Sequence, residues 1–163
     1  MHIDFDPLHA DVEPPSRATE LSAGYDARAY LTGRSVRIRD SSGTVVERAA
    51  SANGELRLEA GEIALIPLGF RARLPAGYEA QVRIRSSAAL KKGLVLPNAP
   101  GTIDADYPDE WLVMVRNDAG RAVTIEHRER IAQIVLARYE VATWEPGRVG
   151  RSTDRAGGFG STG

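Results

Sequence analysis

Apolar and polar residues alternate with a period of two in short runs at 35–39, 55–58, 81–85 and 122–126. That period sends successive side chains to opposite faces, so each run reads as a strand with one face buried. The runs at 111–115 and 131–137 are more continuously apolar and read as central strands. Between them stand turn-forming residues: Ser42-Gly43, Asn53-Gly54, Ala60-Gly61, Pro75-Ala76-Gly77 and Asn117-Asp118-Ala119-Gly120. Only 86–92 has a helical pattern, and it is short. Many short strands at regular spacing predict an all-β sandwich, jelly roll or barrel. The 163 residues suit one domain, 1–163, with no internal repeat and no linker.

Composition removes several chemistries. Cysteine is absent, which excludes disulfides, thiol nucleophiles and Cys-ligated zinc together. The three histidines are His2, His9 and His127, and no HExxH pair occurs. The longest apolar run, 63–70, is eight residues long and contains Pro67, whereas a membrane-spanning helix needs roughly 20. The first fifteen residues are acidic and lack the layout of a signal peptide, so the expected location is cytoplasmic, with no membrane partner. A net charge of −1 argues against a nucleic-acid partner, because general nucleic-acid binders are usually basic. Carboxylates, arginines, hydroxyls and backbone amides remain to carry the chemistry.

Charge is distributed unevenly. Residues 79–95 carry Arg83, Arg85, Lys91 and Lys92 against Glu79, while 104–110 carry Asp104, Asp106, Asp109 and Glu110. Such a pairing suits an anion that binds together with a divalent cation; ordinary surface charge is the plain alternative. Arg85-Ser86-Ser87 follows a strand and opens the one helical turn. A guanidinium fork, two hydroxyls and free backbone amides there form an anion pocket, most naturally for phosphate. A serine capping the helix explains the same residues without a ligand. In the stretch from Asn98 to Tyr107, Pro100-Gly101 marks a turn, after which Ile103 re-enters a strand with Asp104 and Asp106 on the opposite face. An Asn amide reads donor and acceptor on a base edge, Tyr107 can stack on a base or sugar, and an aspartate can take a proton from water. A plain hairpin is the alternative. The end of the chain, a Gly-rich tail at 147–163, sets one aromatic, Phe159, among glycines with Arg155 upstream. Such a segment can fold over a ligand.

Five segments stand in order: Ala23-Gly24-Tyr25-Asp26, Arg85-Ser86-Ser87, the stretch from Asn98 to Tyr107, Arg130-Ile131-Ala132-Gln133, and the glycine-rich run 157–163. Together they resemble the five motifs of the trimeric deoxyuridine triphosphatases (dUTPases). The resemblance implies a jelly-roll protomer of the β-clip type, a homotrimer with shared active sites, and Mg²⁺-assisted hydrolysis of dUTP to dUMP and pyrophosphate. It implies that Asp104 is the base activating water for attack on the α-phosphorus, with Asp106 less constrained. Asn98 and the hairpin backbone at Gly101, Thr102 and Ile103 would read uracil, and Tyr107 would pack under the deoxyribose. Arg85, Ser86, Ser87 and Gln133 match phosphate contacts, and Asp26 would lie near the metal through water. Arg155, Phe159, Gly160 and Ser161 match the tail that closes over the nucleotide.

The chain departs from the family pattern at several points. Ser87 stands where glycine is usual, and Ile84 where proline is common. Pro108-Asp109-Glu110 replaces the usual Arg-Gly-Glu, and Arg128 replaces a glycine two residues before Arg130. Arg155 lies four residues before Phe159 where five is typical, so Arg151 is the substitute. An extra segment near 33–54, read as a surface hairpin turning at Ser42-Gly43, has no expected catalytic role. A dCTP deaminase of the same fold and a non-catalytic nucleotide-binding trimer are the competing readings.

Overall fold

The computed structural model of the protein describes residues 1–154; Arg155, Phe159, Gly160 and Ser161 lie outside the described residues. The strands run in chain order as β1 (Asp4–Pro7), β2 (Tyr25–Arg28), β3 (Ser35–Arg39), β4 (Val45–Ala49), β5 (Glu55–Leu58), β6 (Ile63–Pro67) and β7 (Phe70–Arg73). They continue as β8 (Tyr78–Ile84), the helix α1 (Ser86–Lys92), β9 (Leu94–Val95), β10 (Gly101–Ile103), β11 (Leu112–Asn117), β12 (Val123–Glu126) and β13 (Arg130–Arg138).

Two larger sheets, ordered β10-β8-β13-β2 and β4-β3-β6-β11-β9, are joined by the two-stranded pairs β1-β7 and β12-β5. The strand pairings among the described residues are antiparallel, as the alternating pattern implies. The inward positions supply one core, including Ile38, Leu56, Leu58, Ile66, Val113, Val115, Ile125 and Ile131. The jelly-roll expectation of the sequence holds, and the continuous apolar runs are indeed central: β11 lies between β6 and β9, and β13 between β8 and β2.

The helix occupies 86–92 as the pattern predicts. It stops at Gly93, whose φ of 63° is left-handed and whose missing Cβ would lie 2.8 Å from that of Ala119. Lys92 then fastens the helix end, donating to Glu129 at 2.7 Å and to the Thr124 carbonyl at 2.8 Å. Arg85 holds the N-cap position without a side-chain cap bond, and Ser86 is the first helical residue. The serine-cap alternative is thereby corrected.

The extra segment is the β3–β4 hairpin, an edge of the five-stranded sheet, with Val45 and Val46 exposed. It is not merely superficial. Arg48 on β4 reaches the buried Glu62 with two bonds of 2.7 Å. Glu62 also accepts the Glu59 N–H at 2.8 Å, and Arg48 donates to the Arg57 carbonyl at 2.7 Å. The Arg48 guanidinium lowers the Glu62 pKa. No helix among the described residues is long and apolar enough to cross a membrane.

Candidate active site

Strand β8 organises the candidate residues. Its C-terminal end leads into Arg85 and α1, and the Arg85 N–H bonds the Ile131 carbonyl of β13 at 3.2 Å. On β13, Gln133 pairs with Arg83 of β8 on one side and Asp26 of β2 on the other. Register slips between Arg130 and Ala132, a bulge of the kind that re-aims side chains. Gly24 belongs to the same assembly, because a Cβ there would lie 3.0 Å from the Cβ of Gln133 and 3.1 Å from its Oε1.

Asp26 is buried between two cations. Its Oδ1 accepts Arg85 and its Oδ2 accepts Arg130 at 3.1 Å. Two guanidiniums against one carboxylate leave an excess positive charge in a partly dry site, which favours a bound anion. Burial, and then the Arg130 cation, push the Arg85 pKa below its ordinary value. Ser86 and Ser87 lie exposed beside it, at the start of the helix. A cleft of about 320 Å³ adjoins Asp26, between residues 11–16 and β2, with Arg28, Tyr30 and Arg128 on its wall.

The carboxylate–tyrosine segment lies at the other end of β8. Gly101 pairs with Val82, Thr102 with Gln81 and Ile103 with Ala80, so β10 runs away from Arg85. Asn98 folds against Gly101, its Nδ2 only 3.2 Å from where a side chain would begin. The strand ends at Ile103, which corrects the expected strand through Asp106: the Tyr107 N–H bonds the Asp104 carbonyl at 3.2 Å and makes 104–107 a turn. Asp104 is exposed at the turn's start, and Tyr107 flanks a cleft of about 380 Å³ with Ala105 and Asp106. Five residues of β8 separate Ala80 from Arg85, about 16 Å at the usual rise of a strand. In one chain, therefore, Arg85, Gln133 and Asp26 come together, while Asp104 and Tyr107 stand apart from them.

No local pattern along the chain announces the Asp26–Arg85–Arg130 trio or the part Arg128 plays. Arg128 takes a left-handed φ of 63°, which accounts for the glycine common there in the resembling family. Its N–H donates to the Ala29 carbonyl at 2.7 Å, and its side chain grips the Asp11 carboxylate at 2.7 Å. His127 is structural: Nδ1 accepts the Leu31 N–H at 3.0 Å and the Thr32 N–H at 3.3 Å, and burial lowers its pKa. Among the described residues, no group of three His, Asp or Glu side chains could hold a metal.

Fold and charge together define a class: an antiparallel β domain with an arginine cluster around a buried aspartate at one end of a strand and a carboxylate–tyrosine turn at the other. A family model described as dUTPase matches residues 50–163. The deoxyuridine 5'-triphosphate nucleotidohydrolase of Desulfotalea psychrophila is 51% identical over 116 residues, covering 71% of this chain and 77% of that protein. Its counterpart from Dinoroseobacter shibae is 42% identical over 150 residues, covering 91% of this chain and 86% of that protein. The fold is shared with a dUTPase from phage phi11 of S. aureus, at a TM-score of 0.71, 18% identity and coverage of 93% and 100%; that structure concerns the coordination of a structural Mg(II) ion. The chain belongs to the dUTPase family.

Proposed function

We propose that this protein hydrolyses dUTP to dUMP and pyrophosphate in sites completed between copies of a homotrimer. The observation that carries the reading is the register of β10 on β8, which sets Asp104 and Tyr107 about 16 Å along the strand from Arg85. A nucleoside triphosphate spanning both groups is served when Arg85, Ser86, Ser87 and Gln133 of one copy face Asp104 and Tyr107 of the next.

Each residue then has a chemical task. Arg85, released in part from Asp26, forks onto phosphate oxygens, with Arg130 left to neutralise the aspartate. Ser86, Ser87 and Gln133 donate to the same oxygens. Asn98 and the backbone of Gly101, Thr102 and Ile103 read the uracil edge, and Tyr107 offers its ring to the deoxyribose. Asp104 takes a proton from the water that attacks the α-phosphorus as pyrophosphate leaves. Arg155, Phe159, Gly160 and Ser161, with Arg151 as the alternative arginine, cover the nucleotide on the strength of their order in the sequence.

Mg²⁺ suits this donor set only as a companion of the triphosphate. Asp26, set between Arg85 and Arg130, would sit near the ion through water, as the resemblance implies. When bound, the ion neutralises charge on the phosphates. A cytoplasmic location belongs to the same proposal.

The test is a product assay with dUTP and dCTP, with and without Mg²⁺. Pyrophosphate release from dUTP that needs Mg²⁺ is the expected result. Ammonia release from dCTP without pyrophosphate overturns the reading in favour of a deaminase, and binding without turnover overturns it in favour of a nucleotide-binding regulator.

A further inference from the structure

We infer that the inserted hairpin segment is a specificity element, because its Arg34 fixes the position of Tyr107 through Glu110. The inference rests on the reading of Tyr107 as the platform for the deoxyribose.

Arg34 stands just before β3, in the extra segment, and its chain is pinned there by two backbone bonds: its N–H to the Leu31 carbonyl at 3.0 Å and the Ala50 N–H to its own carbonyl at 2.9 Å. The side chain turns away from the hairpin and meets Glu110 in a two-pronged pair, Nη1 to Oε1 at 3.1 Å and Nη2 to Oε2 at 2.6 Å. The two side chains are only 24% and 16% exposed, so the pair is largely shielded from water. The same Oε1 accepts the Gly69 N–H at 2.8 Å, and Arg34 Nη1 also lies 3.3 Å from His9 Nε2. Glu110 is thus held by three donors from two distant parts of the chain.

That anchoring is passed to the tyrosine. The Tyr107 hydroxyl donates to the Glu110 carbonyl at 3.4 Å, and the Tyr107 N–H donates to the Asp104 carbonyl at 3.2 Å. The ring is therefore tied at its backbone by the Asp104 turn and at its tip by Glu110. It is 37% exposed and flanks the cleft of about 380 Å³, so the surrounding core does little to hold it. Excluding a 2′-hydroxyl requires the ring to close against the sugar, and a ring free to tilt yields room for the extra oxygen. Pro108-Asp109-Glu110 departs from the usual sequence after the tyrosine, yet Glu110 supplies a carboxylate that the insertion's arginine can seize.

Arg34 and Glu110 are positioning residues, and a split of kinetic constants tests them. Arg34→Met keeps the side chain's length but donates nothing to Glu110. The expected result is a KM for dUTP raised about fivefold, kcat within about twofold, and a preference for dUTP over UTP reduced about tenfold. Arg34→Lys, which restores one charged bond, is expected to recover part of the preference, and it serves if Arg34→Met fails to fold. Tyr107→Phe keeps the ring and loses the tie to Glu110, so it is expected to move the preference in the same direction. An unchanged dUTP/UTP preference in Arg34→Met, or in both Arg34→Lys and Tyr107→Phe, overturns the inference. Tyr107→Ala separates the two levels. If it lowers the preference while Arg34→Met does not, the positioning role alone falls; if it leaves the preference intact, the platform reading falls with it.

Discussion

Replacing Arg48 with methionine should cost the protein about 2–3 kcal/mol. Glu62 is 4% exposed and receives both prongs of the Arg48 guanidinium at 2.7 Å. Removing one partner of a buried ion pair typically costs about 3–5 kcal/mol, because the other charge stays buried and unpaired. Two features reduce that figure here. The Arg48 side chain is 34% exposed, so water screens part of the pair and can reach the vacated carboxylate. The Glu59 N–H, at 2.8 Å, also remains on Glu62. The assay is thermal and denaturant unfolding at one fixed protein concentration, since assembly couples to stability. At this chain length the melting temperature should fall by about 5–10 °C. Adding Glu62→Gln to Arg48→Met should restore part of the loss, because a neutral amide tolerates burial without a cation. The pH dependence fixes the sign. Arg48 holds the folded-state pKa of Glu62 below its ordinary 4.5, so the pair's contribution is complete above pH 4.5 and disappears as pH falls through the folded-state value. The gap between wild type and Arg48→Met should therefore narrow below pH 4.5. A loss under about 0.5 kcal/mol at neutral pH, or a gap unchanged in acid, would refute the reasoning.

Two further outcomes follow from the site and its supports. Asp104→Asn should abolish release of pyrophosphate while a non-hydrolysable dUTP analogue still binds by calorimetry within about threefold; near-normal turnover removes Asp104 as the base. Arg128→Gly should change stability by less than about 1 kcal/mol, since relief of the left-handed φ offsets loss of an exposed bond to Asp11, whereas Arg128→Val should cost about 1–2 kcal/mol or more. Equal melting temperatures for the glycine and valine variants would contradict that account.

The extent to which this molecule is legible in its sequence depends on how local each cause is. The 86–92 helix is written in an Ala-rich segment ended by Gly93, and the hairpin in alternation broken by Ser42-Gly43; both are decided by neighbours along the chain. Alternation predicts that Asp104 continues the strand of Ile103, but a three-residue strand gives alternation little to act on, and the Tyr107-to-Asp104 bond closes a turn instead. A serine cap is the local expectation, yet Arg85 occupies the N-cap position with its side chain turned to Asp26. The pairs that matter most, Asp26 with Arg85 and Arg130, Arg34 with Glu110 and Arg48 with Glu62, join residues brought together by sheet register or by the inserted hairpin. Nothing in a one-dimensional pattern announces them. The basic and acidic patches lie close together in sequence, yet β8 holds them apart within a chain. That separation gives the expectation of shared sites a physical basis.

The central claim is that Asp104 and Arg85 serve one site from different copies of the chain. Co-expressing Asp104→Asn and Arg85→Ala chains under different tags, and isolating the mixed assemblies, tests it most directly. Each variant alone should be nearly inactive. In every mixed trimer, one of the three sites drawn from two neighbours receives an intact Asp104 and an intact Arg85, so roughly a third of wild-type dUTP hydrolysis should return. Mixed trimers as inactive as the parent variants would show that both residues act within one chain and would contradict the account.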